Sequence, residues 1–295
     1  MIRTLIHSRE RHHERVNCPV SFFEAAHVNP LFRNAHLVLL SLLLAALSAC
    51  QPARQERAAL TALPNEILWA WERPEDLRWA PPEVGVAYVA SSVSLADDRV
   101  DVVPRANPLK VRPDTMLIPV VHVDASWRNP PTLSSRQRDA IVSQVLRTAQ
   151  TTGAKVVQLD FEVRHSQQPF LFSVVSDIRK KLPVDRALSI TALASWCSGD
   201  YWLDAMPADE IVPMTFRMAR DDAAVRKIIA EQGELPGKRC RAAAGFATDE
   251  VMPLLQTGRR YYFSPVPWKQ GMWDQVVHSR VTQVKVAQED NHARG

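Results

Sequence analysis

Residues 155–162 read KVVQLDFE, an apolar run of β-strand character that ends in two acids. Because side chains alternate across a strand, Gln158, Asp160 and Glu162 project from one face. A polar face on an otherwise buried strand is costly unless its groups are paired or used. We therefore predict that this strand belongs to a closed parallel barrel, in which polar groups at the C-terminal ends of the strands gather at one rim.

Seven further runs rich in apolar and β-branched residues predict strands, and most alternate with helix-like patterns. One helix begins at Ser134 or Ser135 and stops at Gly153. Residues 91–105 alternate around Asp97 and Asp98 instead, which predicts a β-hairpin. The sequence thus predicts a single α/β domain, a lean (β/α)8 barrel of the TIM type with a hairpin inserted after the second strand. The eight strands are expected at 67–72, 84–90, 115–124, 155–162, 188–194, 210–218, 240–247 and 260–264.

The N-terminal region has the pattern of an export signal. Residues 36–47 form an apolar run that is too short to span a bilayer and is typical of a signal-peptide core, with Arg33 as its positive flank. The following Leu47-Ser48-Ala49-Cys50 resembles the lipobox of bacterial lipoproteins. We expect a leader at 1–49, lipidation of Cys50, a polar tether at 50–64, the barrel at 65–285 and a tail at 286–295. Residues 1–32 fit either a start codon assigned too far upstream or a genuine extension.

These features predict an exported protein on the periplasmic side of the outer membrane of a Gram-negative bacterium, attached to the membrane through its lipid anchor only. The whole chain carries a formal net charge of +4, and it is almost neutral without the predicted leader. Nucleic acid is therefore not expected as a partner. A Gly-rich phosphate loop and metal-type Cys spacing are both missing from the sequence, so no cofactor is predicted.

The two body cysteines, Cys197 and Cys240, are expected at opposite ends of the barrel. Cys197 follows the fifth predicted strand, whereas Cys240 begins the seventh. Since a disulfide requires its two Cα atoms to be about 4.4–6.8 Å apart, the sequence argues against a bridge between them.

Polar and aromatic side chains recur at the predicted C-terminal ends of the strands, which is the composition of a site. The rim is expected to hold Glu72, Ser91, Asp124, Asp160, Glu162, Trp196, Arg217 and Asp249. Tryptophan rings near a polar cleft are the usual platforms for sugar rings, although each could instead be a large core residue. The residues predicted to bind a carbohydrate substrate are Gln158, Asp124, Trp71, Trp127, Trp196, Phe216, Arg217 and Trp268.

Asp160 and Glu162 are the predicted catalytic pair. Two carboxyls with pKa values pushed apart can act as acid and base on a glycosidic bond. A Glu beside an ionised Asp and apolar neighbours has a raised pKa, which makes Glu162 the candidate general acid. The alternative is structural: Asp160 pairs with Arg164 or Arg217, and Glu162 is a solvated rim residue.

A metal-dependent hydrolase is a further alternative. His122 and Asp124 lie two residues apart on the third predicted strand, next to Asp160 on the fourth. One His and two carboxylates could hold a divalent cation. A lone His on a strand is more often a hydrogen-bonded core or rim residue, and we favour that interpretation.

The motif at residues 158–162 resembles the Asp-x-Asp-x-Glu end of the fourth-strand motif in family-18 glycoside hydrolases, the chitinases. In that family the Glu protonates the glycosidic oxygen and the preceding Asp positions the acetamido group, roles that would fall on Glu162 and Asp160. The chain departs from the pattern in two places: Gln158 replaces the first Asp, and Phe216 and Arg217 replace the Tyr-Asp of the sixth strand.

The chain also resembles an uncharacterised family of bacterial secreted proteins, through residues 68–74, 157–162, 188–200, 210–218 and 245–250. That resemblance implies a barrel and export but supplies no activity. Two classes of function stay open: a glycoside-hydrolase-like enzyme acting on an envelope or extracellular glycan, and a non-catalytic carbohydrate-binding or envelope scaffold protein on a degenerate barrel.

Overall fold

A parallel sheet closes on itself in the computed structural model, which describes residues 57–198 and 202–280. The first strand, β1, pairs with both the last strand, β11, and the second barrel strand, β3, and this closure confirms the predicted TIM-type fold. The elements in chain order are α1 (Ala58–Thr61), β1 (Glu66–Ala70), β2 (Glu75–Asp76), β3 (Val84–Ala96), β4 (Arg99–Pro104), β5 (Leu109–Lys110), β6 (Leu117–Ala125), α2 (Ser135–Thr152), β7 (Val156–Phe161), α3 (Gln168–Lys181), β8 (Ala187–Leu193), β9 (Glu210–Met214), α4 (Asp222–Gln232), β10 (Ala243–Ala247), β11 (Arg259–Phe263) and a helix, α5, at 270–280. The expected leader at 1–49, the lipidation site Cys50 and the tail at 286–295 lie outside the described residues.

The predicted hairpin is present, formed by β3 and β4. These strands are antiparallel, with Ala96 opposite Arg99 and Asp97 at the turn in the left-handed region (φ 51°). The second barrel strand was expected to stop at residue 90, but β3 continues to Ala96 because β4 on one side and β6 on the other both pair with its extension.

The helices α2 and α3 follow β6 and β7 as the sequence predicts. Ser134 caps α2: its hydroxyl accepts from the Gln137 amide at 3.4 Å, and the Gln137 side chain accepts from the Ser134 amide at 3.4 Å. Gly153 ends the helix with φ 68°, a conformation that favours glycine.

Two apolar layers surround the strands. One fills the barrel interior and the other lies between the strands and the helices. Leu60 and Leu63 join the interior layer, so residues 57–64, which the sequence places in the tether, close the N-terminal end of the barrel.

Cys197 and Cys240 form a disulfide, with 6.0 Å between their Cα atoms, and the expectation that they stay apart is wrong. A short 3-10 turn (Ala194–Cys197), in place of a long helix, follows β8 and brings Cys197 onto the outer side of the barrel. There the Cys197 carbonyl accepts from the Gly237 amide at 3.0 Å, and a second turn (Lys238–Cys240) presents Cys240 before β10 begins.

None of the helices in the described part of the chain is long and apolar enough to cross a membrane.

Candidate functional site

A cleft of about 990 Å³ lies at the C-terminal end of the barrel. The C-terminal ends of β6, β7, β8 and β9 and the segments that follow them deliver acidic, basic and aromatic side chains to it. Both predicted catalytic acids line it, together with Trp71, Asp124, Trp127, Trp196, Phe216 and Arg217 from the predicted substrate-binding set.

Asp160 is held by two neighbouring strands. The parallel register places His122 of β6 opposite Asp160 of β7, and the His122 Nδ1 lies 2.7 Å from the Asp160 Oδ2. On the other side, the Thr191 hydroxyl of β8 donates to the Asp160 Oδ1 at 2.6 Å. Asp160 is only 5% exposed. The expected structural partners, Arg164 or Arg217, are therefore corrected to His122 and Thr191.

The bond to Asp160 also affects the imidazole. Burial by itself lowers the pKa of His122, but the hydrogen bond to Asp160 and the negative charges of Asp160 and Asp124 outweigh it, so the pKa of His122 is raised. A protonated imidazole and an ionised carboxylate at this distance form a charge-assisted hydrogen bond.

Glu162 follows directly after β7 and has a different environment. Its side chain reaches the solvent of the cleft, and its carboxylate makes no hydrogen bond or ion pair with any residue of 57–198 or 202–280. Partial burial in the cleft wall raises the pKa of Glu162, and the charge of Asp160 raises it further. A carboxyl that stays protonated closer to neutral pH is suited to donate a proton.

Aromatic rings form much of the rest of the cleft wall. Trp71 meets the His122 ring edge to face, with centroids 5.8 Å apart. Trp127 is 71% exposed, and the Arg128 guanidinium lies 4.9 Å from its ring centroid. Trp196 packs against Trp202 at 5.2 Å. Trp127 is the most exposed of these rings, and the Arg128 guanidinium lies over it.

Phe216 and Arg217, which follow β9, line one side of the cleft. The Phe216 ring packs against Phe263 at 4.8 Å and brings no polar atom to the site. Arg217 has φ 51° and is clamped by two carboxylates, Asp249 at 2.7 Å and Glu250 at 3.2 Å. Since its charge is already matched by these two partners, the guanidinium is less available to a ligand than the sequence suggested.

Two predicted substrate-binding residues do not reach the cleft. Gln158 is fully buried and donates through Nε2 to the Ser189 hydroxyl at 2.9 Å, further down the barrel. Trp268 is 4% exposed, and its Nε1 donates to the Trp69 carbonyl at 2.8 Å. Both placements correct the sequence-based expectation.

Three other residues of the expected rim do not line the cleft. Ser91 is buried on the helix side of β3, where it accepts from the Gln144 amide at 2.9 Å. Glu72 and Asp249 follow the C-terminal ends of β1 and β10 as expected, but Glu72 accepts from the Ala106 amide at 2.9 Å and Asp249 forms an ion pair with Arg217.

The metal-dependent alternative lacks its ligand set. His122, Asp124 and Asp160 do not converge as one group, and no cluster of three His, Cys, Asp or Glu side chains able to hold an ion occurs within 57–198 and 202–280. His122 instead has the hydrogen-bonded role that the sequence favoured.

Thr191 is a site residue that is absent from the set predicted above. A signal was present, because the fifth predicted strand alternates Ser189 and Thr191 with apolar residues, the same parity as Gln158 and Asp160. With Ser189 in register with Gln158, Thr191 falls beside Asp160.

Neither the protein-family models nor the curated proteins include a match to this chain. Solved structures similar to it include the spore cortex-lytic enzyme SleL of Bacillus cereus, with 15% identity and a TM-score of 0.42 over 63% of this chain and 51% of that chain. The chitinase domain of the spore coat protein CotE from Clostridium difficile has 13% identity and a TM-score of 0.36 over 54% and 52% of the two chains. A GH18 chitinase from Pseudoalteromonas aurantia has 11% identity and a TM-score of 0.42 over 72% and 99%.

The similar structures include chitinase barrels. This chain spans about half the length of the first two. Similarity at this level carries no functional information.

Proposed function

We propose that this chain is an exported barrel protein that binds and hydrolyses a carbohydrate, with Glu162 as its general acid. The observation that carries the proposal is the state of Glu162: a carboxyl without a partner among the described residues, with a raised pKa, in an aromatic-lined cleft at the C-terminal end of the barrel. Active sites of such barrels lie at this end.

The arrangement suits proton donation to a glycosidic oxygen. A sugar lying against the exposed ring of Trp127 or its neighbours in the cleft can bring its linkage to Glu162. The Glu162 carboxyl then transfers its proton to the leaving oxygen as the glycosidic bond breaks, water adds its oxygen to the anomeric carbon, and the proton that this water gives up restores the acid. Asp160, fixed in its position by His122 and Thr191, keeps its charge close to Glu162 and so favours the protonated acid.

The test is a glycan array on residues 50–295, followed by measurement of new reducing ends with each bound glycan. Glu162→Gln keeps the shape and removes the proton, so turnover is expected to fall by roughly 10²- to 10⁴-fold while binding persists. Glu83→Gln is the matched control, because Glu83 is exposed just before β3 at the opposite end of the barrel. Full turnover by the Glu162→Gln variant would assign the acid to another residue.

A non-catalytic carbohydrate-binding protein is the second candidate. One observation favours it: both Asp160 oxygens are already bonded to protein groups. An Asp held in this way is less free to turn toward a substrate. Binding on the array without any release of reducing ends, in the wild type as well as in Glu162→Gln, would select this candidate.

Export and lipidation at Cys50 form part of the same proposal. They are supported by the apolar run at 36–47 and Leu47-Ser48-Ala49-Cys50, and also by the Cys197–Cys240 disulfide, since such bonds persist in oxidising compartments. Cells grown with a clickable fatty acid are expected to label the protein through Cys50. Label that survives Cys50→Ala, or no label on the wild type, would reject lipidation at this residue.

A further inference from the structure

The His122 imidazole is fixed in its orientation by a chain of hydrogen bonds. Asp160 accepts at Oδ1 from Thr191 at 2.6 Å, so its carboxylate cannot rotate freely. Its Oδ2 is 2.7 Å from the His122 Nδ1, and because an ionised carboxylate only accepts, the Nδ1 carries the hydrogen. Trp71 meets the ring at 5.8 Å and limits its movement on that side. Three strands and an indole therefore hold one ring in one position.

In this orientation the second ring nitrogen of His122, Nε2, faces the cleft. The His122 side chain is 33% exposed and lines the cleft wall. Within the part of the chain that the structure describes, the bond at Nδ1 is the one hydrogen bond that the ring makes. The Nε2 is thus a polar atom of fixed direction with no protein partner in residues 57–198 and 202–280.

We propose that His122 is a ligand-binding residue of the cleft and that Asp160 is its positioning residue, so that the His122 Nε2 hydrogen-bonds a hydroxyl group of the bound sugar. This inference rests on the proposed function and gives Asp160 a second role beside its effect on Glu162. A hydroxyl can both donate and accept, so it can bond Nε2 whether or not that atom carries a hydrogen.

The acids that act on His122 favour a neutral group at its Nε2. Asp124 acts electrostatically on His122, Asp160 lies on the adjacent strand β7, and Glu162 follows directly after that strand. A carboxylate group on the sugar would enter beside the negative charges of Asp124 and Asp160, and like charges repel. Hydroxyl groups avoid that repulsion and still satisfy Nε2.

Two substitutions separate ligand contact from a structural role. His122→Asn places its amide near the Nδ1 position, so it can keep the bond to Asp160 but does not reach the cleft. His122→Gln places its amide near the Nε2 position. The probes are cellotetraose, tetra-N-acetylchitotetraose and tetragalacturonate, and the measurement is binding by calorimetry at fixed pH.

The wild type is expected to bind at least one of the two neutral probes more tightly than tetragalacturonate. His122→Asn is expected to weaken that binding about 3- to 10-fold, the loss of one hydrogen bond, and His122→Gln to restore most of it. Thr191→Val removes the hydrogen bond to one oxygen of Asp160 and leaves His122 unchanged. It is expected to weaken binding by a smaller factor, which would support the role of Asp160 in positioning His122.

The outcomes distinguish the inference from the function on which it rests. The role of His122 is overturned, while carbohydrate binding stands, if the wild type and His122→Asn bind a neutral probe equally well. It is also overturned if His122→Gln loses as much affinity for that probe as His122→Asn does. Preference for tetragalacturonate overturns the choice of a neutral sugar. If the wild type binds none of the three probes and no glycan on the array, the proposed function fails and the inference with it.

A measurement on the wild type keeps the test independent of folding of the variants. In protein labelled with 15N-histidine, the Nε2 resonance of His122 is expected to shift when the tetrasaccharide saturates the cleft. An unchanged resonance at saturation would overturn the contact.

Discussion

Two glutamates, one at each end of the same barrel, have opposite environments. Glu210, the first residue of β9, is 3% exposed near the N-terminal end, and its carboxylate accepts from Ser189 and Tyr261 at 2.7 Å each and pairs with Arg259. Glu162, at the C-terminal end, reaches solvent and has no partner among the described residues.

The difference shows how to separate a structural acid from a functional one. Burying a charge is tolerated where every lone pair is satisfied, and removing one partner of such a network leaves the others unpaired. A carboxyl without partners beside a second acid adds nothing to stability. Natural proteins retain such destabilising arrangements mainly at functional sites.

The largest expected effect is at the buried end. Glu210→Gln leaves Arg259 as a buried, uncompensated charge, so the free energy of unfolding in urea is expected to fall by about 3–5 kcal/mol. Glu162→Gln is the matched control and is expected to retain the stability of the wild type or to exceed it slightly. A Glu210→Gln variant as stable as the wild type would remove the contrast between the two ends.

The disulfide is a covalent constraint beside the cleft, since Trp196 of the cleft wall precedes Cys197 in the same turn. Replacing both cysteines by alanine is expected to lower the free energy of unfolding by about 2–4 kcal/mol, because the bond closes a loop across a separation of 43 residues. Urea unfolding with and without a reductant measures this. The reductant should leave the double variant unchanged, and an equal response of the two proteins would contradict the expectation.

Two tryptophans extend the comparison to aromatic residues. Trp127→Ala is expected to leave stability within about 0.5 kcal/mol, because the side chain is 71% exposed, and to weaken glycan binding by roughly tenfold. Trp268→Ala serves as the contrast: its ring is buried, so the protein should lose about 3–5 kcal/mol of stability. Unaltered glycan affinity in the Trp127→Ala variant would exclude that ring as a platform.

The smallest expected effect is a pH dependence. The pKa of Glu162 is raised in the folded protein, so the protonated carboxyl stabilises the fold. This stabilisation is complete below the ordinary pKa of 4.5, and it is lost as the pH rises through the raised pKa of the folded state. Glu162→Gln cannot ionise. Its stability relative to the wild type should therefore increase between pH 4 and pH 7.5, by less than about 1 kcal/mol because the carboxyl reaches solvent.

Urea unfolding of both proteins at a series of pH values measures the difference, with Glu83→Gln as the exposed control. A Glu162→Gln variant that loses stability relative to the wild type as the pH rises would show that the ionised carboxylate has a stabilising partner.

The sequence predicted the strands and the acidic end of β7 well, because both depend on local alternation. The hairpin turn at Asp97 and the helix between Ser134 and Gly153 are also local signals. By contrast, the end of β3 and the Cys197–Cys240 bridge depend on which segments meet in space. The periodicity of the sequence does not indicate that a short turn after β8 places Cys197 on the outer side of the barrel.

The sequence predicted the two acids of the site but not the residues that hydrogen-bond to Asp160. Asp160 and Glu162 could be placed at the rim because strand parity fixes the face. The pairing of Asp160 with His122 and Thr191 required the register of three strands, and Trp268 could not be distinguished from an exposed tryptophan by composition. Single aromatic residues carry no local signal of burial.

The role of Glu162 as the acid of the cleft is tested most directly by measuring its side-chain pKa by 13C NMR of the carboxyl carbon, in the wild type and in Asp160→Asn. We predict a pKa above the ordinary 4.5 in the wild type, from burial first and the charge of Asp160 second, and a lower value in Asp160→Asn. A wild-type pKa at or below 4.5, or one that does not respond to Asp160→Asn, would contradict the assignment of Glu162 as the acid of this cleft.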